Sequence, residues 1–288
     1  MIQQLKITAV TENTAGCFEA LGEWGLALWI EADEHRLLCD TGKGQALRAN
    51  ASLLKINLAE AEALILSHGH HDHTGGIAEA VAMGFRGRVY AHPAAWEAKF
   101  QKRDALLPKP IGLPPACREA LLAQRLEMVS CEGPKQIAPG ILLTGAVPRR
   151  LAFETITDPF YRDAECTDQD PVEDDQALLI EMPQGWVVIT GCGHAGIINT
   201  LHYARELTGS GRLQAVIGGM HLFRASDERV RLTIEQLQAC GVKLVAACHC
   251  TGPQVVAELE RQTAFRGMGL NAGQTIQLPE GRRFSAVQ

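Results

Sequence analysis

The chain has 288 residues, 46% of them hydrophobic and 21% charged, an ordinary balance for a globular protein able to bury a sizeable core. Its net charge of −6 arises from 27 basic and 33 acidic residues, with Lys and Arg scattered rather than clustered, which argues against a nucleic-acid partner. No apolar run approaches the roughly 18 residues of a membrane-spanning helix, so the expected partner is a small molecule and not a bilayer.

Met1–Val10 lacks the apolar heart of an export signal and reads as a first strand. Nine cysteines, an odd number without framework spacing, fit a reducing compartment, and the expected location is the cytoplasm. Strands are expected over Lys6–Thr11, Gly25–Glu31 and Arg36–Cys39, followed by the turn Asp40-Thr41-Gly42. A helix over Gln45–Ile56 leads to the buried strand Ala63–Leu66, then a helix over Ile77–Met83 and a strand over Arg88–Ala91.

The middle changes character. Lys102–Pro115 carries four prolines, and Arg149–Asp175 is long, polar and acidic. The segments at 97–120 and 149–175 are therefore the candidate insertion and lid of what is expected to be a single domain over 1–288. The last third is regular. A hairpin pairs Ala177–Glu181 with Trp186–Thr190, and helices follow near Gly196–Leu207, Asp227–Ala239 and Gln254–Gln262. Ser226 suits the cap of the second helix, with Asp227 and Glu228 in its first turn.

Chemistry concentrates after the strand Ala63–Leu66, in Ser67-His68-Gly69-His70-His71-Asp72-His73-Thr74-Gly75-Gly76. Four histidines in six positions, beside an aspartate and directly after an apolar strand, are the donor set of Zn²⁺, with Mn²⁺ or iron as alternatives. His71 is expected to be an ordinary surface residue. Three further histidines, His194, His221 and His249, each follow an apolar strand, at the sheet edge where α/β proteins place their chemistry.

The run His68-x-His70-x-Asp72-His73 resembles the signature of the metallo-β-lactamase superfamily. That resemblance implies an α/β fold: a four-layer αβ/βα sandwich of two mixed sheets flanked by helices, with the metal site at one edge between the sheets. It implies one or two divalent metal ions, His68 and His70 serving one position, Asp72 and His73 the other, and His249 as the late ligand. Asp40 resembles the outer-sphere aspartate that orients a ligating histidine. The chain departs from the pattern because no histidine stands near Leu142–Pro148 and the strand expected to end in Gly-Asp ends in Gly191-Cys192. Either His194 replaces the missing histidine, or Cys192 or His194 replaces the bridging aspartate, with Asp175 a weaker candidate. His221 resembles the extra histidine of phosphodiesterase branches, a proton donor in preference to a ligand.

The blocks Cys-Asp-Thr-Gly, Gly-Cys-Gly-His-Ala-Gly-Ile, Gly-Gly-Met-His-Leu and Cys-His-Cys-Thr-Gly resemble the branch of dihydropterin-ribofuranosyl-aminobenzene-phosphate synthase and related metal-dependent hydrolases. The expected function is hydrolysis or displacement at a phosphoester or related small molecule by metal-activated water, with Asp72 and His221 catalytic. Arg149, Arg150 and Phe153 are the expected substrate contacts. The competing readings are a non-catalytic metal- or ligand-binding protein and a di-iron oxidoreductase on the same fold. Against the last, such proteins generally carry Glu where His70 stands and need a flavin domain.

Overall fold

A computed structural model describes residues 1–103, 107–155, 158–209 and 211–279. The first elements are β1 (Leu5–Thr11), β2 (Ala27–Ala32), β3 (His35–Cys39), α1 (Leu47–Leu53), β4 (Ala63–Ile65), α2 (His71–Thr74), α3 (Ile77–Ala82) and β5 (Arg88–Ala91). The middle contributes β6 (Phe100–Gln101), β7 (Lys109–Pro110), α4 (Pro115–Ala123), β8 (Met128–Ser130), β9 (Lys135–Ala138), β10 (Ile141–Leu143) and β11 (Phe160–Tyr161). The rest comprises β12 (Ala177–Met182), β13 (Gly185–Thr190), α5 (Ile197–Thr208), β14 (Leu213–Gly218), α6 (Asp227–Ala239), β15 (Leu244–Ala247), α7 (Pro253–Glu260), β16 (Arg266–Gly269) and β17 (Thr275–Leu278).

The chain forms two compact units. The first, Gln4–Ser130 with Thr157–Asp174 and the segment from Asn271, holds a seven-stranded sheet in the order β17-β1-β2-β3-β4-β5-β8. Pairing is antiparallel from β17 to β3 and parallel from β3 to β8. On one face Val10, Trp29, Leu38, Leu64 and Leu66 form a cluster with Leu47, Ile77, Val81 and Leu121 from α1, α3 and α4. Ile7, Leu28, Ile30, Leu37 and Ile65 are buried as well, which is why these strands read as near-continuous apolar runs rather than alternating ones.

The second unit, Met1–Gln3, Cys131–Ile156 and Asp175–Leu270, has its own seven-stranded sheet in the order β16-β15-β14-β13-β12-β10-β9. The expected hairpin is present, with Met182 opposite Gly185. Strands β13 to β16 run parallel, so their carboxyl ends lie along one edge. Leu179, Val188, Val216 and Val245 pack with Ile198, Leu201, Ile234, Leu237 and Leu259 from α5, α6 and α7. Ser226 caps α6 by accepting from the backbone N–H of Arg229.

Each unit also clamps the start of a helix with a buried glutamate. Glu23 accepts from the backbone N–H groups of Lys43, Gly44, Gln45 and Ala46, ahead of α1. Glu154 accepts from Ile198 and Asn199 at the start of α5. These N–H groups have no partner inside the helix, and a carboxylate also suits the positive end of its dipole. The glutamates thereby fix the loops that carry Asp40 and His194.

The candidate insertion and lid segments, of which residues 104–106 and 156–157 lie outside the described residues, carry short regular elements. Short strands β6, β7 and β11 form a three-stranded sheet within the first unit, and Pro115 opens α4 at a position where a missing N–H costs nothing.

Candidate metal centre

In the first unit, β4 delivers the histidine run and the parallel neighbour β3 delivers Asp40. Thr41 fastens the two together. Its N–H and its hydroxyl both donate to the His73 carbonyl at 2.8 Å, and its hydroxyl accepts from Gly76 N–H. Asp40 is completely buried with a left-handed φ of 59°, which aims its carboxylate under the motif. Oδ1 accepts from Ser67 N–H at 2.8 Å, while Oδ2 accepts from the Ser67 hydroxyl and from His73 Nδ1, both at 2.7 Å. Because the Ser67 proton goes to Asp40, its oxygen is left to accept from His68 Nδ1 at 2.9 Å. One carboxylate thus places a proton on Nδ1 of two histidines, so that Nε2 is the nitrogen carrying the lone pair in each.

The ring nitrogens that converge are His68 Nε2 and His70 Nδ1, 2.9 Å apart. Two nitrogens bound to one tetrahedral zinc at the usual 2.0–2.1 Å lie about 3.4 Å apart, so small ring movements suffice to admit an ion. The His73 ring centroid is 4.3 Å from that of His68. Asp72, on α2, is half-buried. Imidazoles with fixed tautomers beside a carboxylate are a donor set suited to Zn²⁺, Mn²⁺ or iron, so the residues fit the metal that the motif implies.

In the second unit, the three parallel strand ends bring the other donors side by side. Gly219 sits where a Cβ would lie 2.4 Å from the Gly191 carbonyl and 2.7 Å from Cys250 Sγ, so only glycine allows this approach. Cys250 Sγ donates to the Cys192 carbonyl and accepts from His221 N–H, each at 3.3 Å. Ligand atoms of Cys192, His221 and Cys250 all lie within 4.8 Å of one another. The His194 and His221 rings are 4.2 Å apart. His221 and His249 both hold left-handed φ values, 50° and 52°, a conformation that costs a non-glycine residue roughly 1–3 kcal/mol and clusters at functional sites. Burial raises the Cys250 thiol, but hydrogen bonds from the Cys192 and His221 side chains and the charges of His249 and His221 outweigh that and hold it well below the usual range.

The metallo-beta-lactamase superfamily model matches residues 25–206, well over half of the chain and including the whole histidine run. The chain belongs to that superfamily. Among solved structures, Tm1679, a metal-dependent hydrolase of the beta-lactamase superfamily, superposes with a TM-score of 0.81 at 27% identity, covering 94% of this chain and 98% of its own. The metallo-beta-lactamase fold protein YhfI from Bacillus subtilis, 14% identical, shares the fold with a TM-score of 0.58 over 96% of this chain and 99% of its own. Among curated proteins, the 7,8-dihydropterin-6-methyl-4-(beta-D-ribofuranosyl)-aminobenzene-5'-phosphate synthase of Methanocaldococcus jannaschii is 29% identical over 262 residues, 87% of this chain and 89% of the relative. The two mixed sheets and their helices are therefore a metallo-β-lactamase fold.

The remaining residues singled out from the sequence fall in varied settings. His194 and His249 are buried at their strand ends. Asp175 Oδ2 accepts from Ala195 N–H at 2.8 Å, bracing the loop that carries His194. Arg149 donates to the His194 carbonyl at 2.5 Å. Arg150 instead makes an exposed ion pair with Glu206, and Phe153 packs against the core of the second unit. His71 is half-buried, with its ring and its backbone N–H both at the Ile111 carbonyl. Sequence reasoning missed Ser67 as the relay between Asp40 and His68. It also missed Lys99, Asp170 and Asp174, a buried ion cluster whose Asp174 Oδ2 accepts from Gly69 N–H at 2.6 Å. The hydroxyl beside the motif was a signal for the first. The cluster's partners lie more than seventy residues apart, and no local pattern links them.

Burial lowers the His70 imidazole from its ordinary 6.5 to about 3; Asp72 and Asp170 pull it up, whereas Lys99 and His73 push it down. The folded metal-free protein therefore keeps His70 neutral at pH values where the unfolded chain binds a proton. This contribution is fully present above pH 6.5 and is lost as the pH falls from 6.5 toward 3. Thermal unfolding of metal-free protein across that range is expected to show a steeper loss of stability than a His70→Gln variant shows. Equal slopes would remove His70 from the account.

Proposed function

We propose that the protein is a metal-dependent hydrolase acting on a phosphorylated small molecule. The observation that carries the reading is the pair of histidines, His68 and His73, whose tautomers are both set by Asp40 so that Nε2 is the ligating atom. The ligands in this reading are His68, His70, Asp72 and His73, with His194 and His249 carried over from the family pattern and Cys192 standing where the bridging aspartate is expected. One or two divalent ions, zinc first, supply a Lewis acid and activate water near neutral pH.

The chain's own groups do the rest. Asp40 holds imidazole orientation, and Asp72 adds the anionic donor that keeps a dication in place. Arg149, anchored at the His194 carbonyl, is the phosphate contact of this reading. His221 holds a proton on the ring facing His194 and gives it to the departing oxygen. A His221→Ala protein is expected to keep its metal while turnover falls about 10²–10⁴-fold, the usual worth of a general acid. Unchanged turnover would end that assignment.

The finer reading is displacement of diphosphate from a pterin, as in a dihydropterin-phosphate-type synthase, and it is supported by the likeness to the M. jannaschii enzyme over nearly its whole length. The deciding experiment is elemental analysis of dialysed protein, followed by assay of phosphodiester and pterin-phosphate substrates with zinc, manganese or iron(II) added back. The reading expects about one or two metal equivalents per chain and turnover abolished by chelation. A chain that stays metal-free after reconstitution would overturn it.

A further inference from the structure

Lys99 is only 3% exposed, and its ammonium lies 2.9 Å from Asp170 Oδ2 and 3.0 Å from Asp174 Oδ1, carboxylates that are 2% and 0% exposed. Taking three charges out of water costs several kcal/mol per ion, of which mutual attraction returns part, and an apolar core of the same volume is commonly as stable. All three members are nonetheless buried, so their charges carry that desolvation cost in the folded protein. Its outward connections are few and specific. Asp170 Oδ1 accepts from Val172 N–H and stands 4.0 Å from Arg162, which also pairs with Glu173. Asp174 Oδ2, the oxygen not used by Lys99, accepts from Gly69 N–H at 2.6 Å.

Gly69 is the residue between His68 and His70. Its two backbone torsions set where the His68 Nε2 and His70 Nδ1 atoms stand relative to each other, and glycine is the residue least able to hold torsions by itself. Glycine is required here, because a Cβ would lie 2.4 Å from the Ala95 carbonyl. The turn is therefore wedged against Ala95 on one side and tied to Asp174 on another. Residues around Lys99 grip the same stretch further on: Lys99 O accepts from Ile111 N–H, and Ile111 O accepts from His71 N–H. The Phe160 ring lies 4.9 Å from that of His70.

We infer that Lys99 and Asp174 are positioning residues for the metal site: Lys99 fixes Asp174, and Asp174 locks Gly69 so that His68 and His70 present their donors together. The inference rests on the reading that these two histidines bind metal. It reaches beyond the family motif, since neither residue lies in it.

The test measures zinc affinity by competition with a chromophoric chelator, and the visible spectrum of the cobalt(II)-loaded protein, for wild type, Lys99→Met, Lys99→Arg and Asp174→Asn. Loss of an outer partner of a metal ligand typically weakens binding 10- to 100-fold. Lys99→Met and Asp174→Asn are expected to fall in that range, with an altered cobalt spectrum, while Lys99→Arg recovers most of the affinity. A purely structural cluster would instead lower the melting temperature and leave the affinity and spectrum of the folded protein unchanged, which would overturn the inference. Should Lys99→Met fail to fold, Asp174→Asn decides alone, because it keeps the volume and exchanges a charge-assisted acceptor for a neutral one. A wild-type protein that binds neither metal overturns the underlying reading and the inference with it; a wild type that binds tightly beside unaffected variants overturns the inference only.

Discussion

Replacing Asp72 with alanine is expected to strip the protein of metal and of hydrolytic turnover together while leaving its fold in place. Asp72 lies in the first turn of the four-residue helix α2 and is half-buried, unlike the fully enclosed His68 and His73. Truncating it opens no large cavity, so the unfolding free energy of the metal-free form should change by no more than a typical surface substitution allows, about 0.5 kcal/mol. The loss falls on the ion. An anionic donor contributes charge that imidazoles cannot, and its removal should exceed the 10- to 100-fold that an outer partner costs. Lewis-acid assistance worth several kcal/mol disappears with the metal, and at 1.36 kcal/mol per decade turnover should fall by roughly 10³-fold or more. Metal content by elemental analysis and initial rates on a phosphodiester check this side by side. A variant with full metal and full rate would show that Asp72 is only the end of a turn.

The part of this site legible in the sequence is the part written locally. His68, His70, Asp72 and His73 lie within six residues because a strand end and one helical turn are enough to gather them. The strand-end histidines His194, His221 and His249 were legible for a related reason: parallel strands end at a common edge, and β13, β14 and β15 do so here. Asp40 could be read because its loop leaves the strand next to β4. Contacts between segments distant in the chain were not legible. Lys99 meets Asp170 and Asp174 across 71 and 75 residues, and nothing about a lysine before a phenylalanine marks it as buried. For Arg150 and Phe153, expected as substrate contacts, the sequence likewise did not show the exposed ion pair of Arg150 with Glu206 or the packing of the half-buried Phe153 against the core of the second unit. The left-handed torsions of His221 and His249 were also beyond reach, because no local residue pattern marks a histidine for that conformation.

Among the long-range contacts, Asp40 ties the loop after β3 to the motif after β4 through three hydrogen bonds, and its replacement measures what that tie contributes. Asp40→Ala is expected to cost about 3 kcal/mol or more in stability, because the Ser67 N–H, the Ser67 hydroxyl and His73 Nδ1 lose their acceptor in a site closed to solvent, and each buried unmet group costs about 1–3 kcal/mol. Alanine also tolerates the φ of 59° poorly. Asp40→Asn separates folding from ligation. Asparagine accepts left-handed torsions and keeps one acceptor oxygen, so the chain should fold close to normally. Its NH₂ group, however, is a donor where two donors already point. The simplest relief is for His73 to accept at Nδ1 and move its proton to Nε2, the nitrogen that would otherwise ligate. The Asp40→Asn protein is therefore expected to bind zinc about 10- to 100-fold more weakly, at nearly wild-type melting temperature in the metal-free form. Zinc competition and thermal unfolding on the same preparations measure both quantities. Tight binding by Asp40→Asn would mean that His73 ligates through the other nitrogen or not at all, and that the carboxylate serves the fold alone.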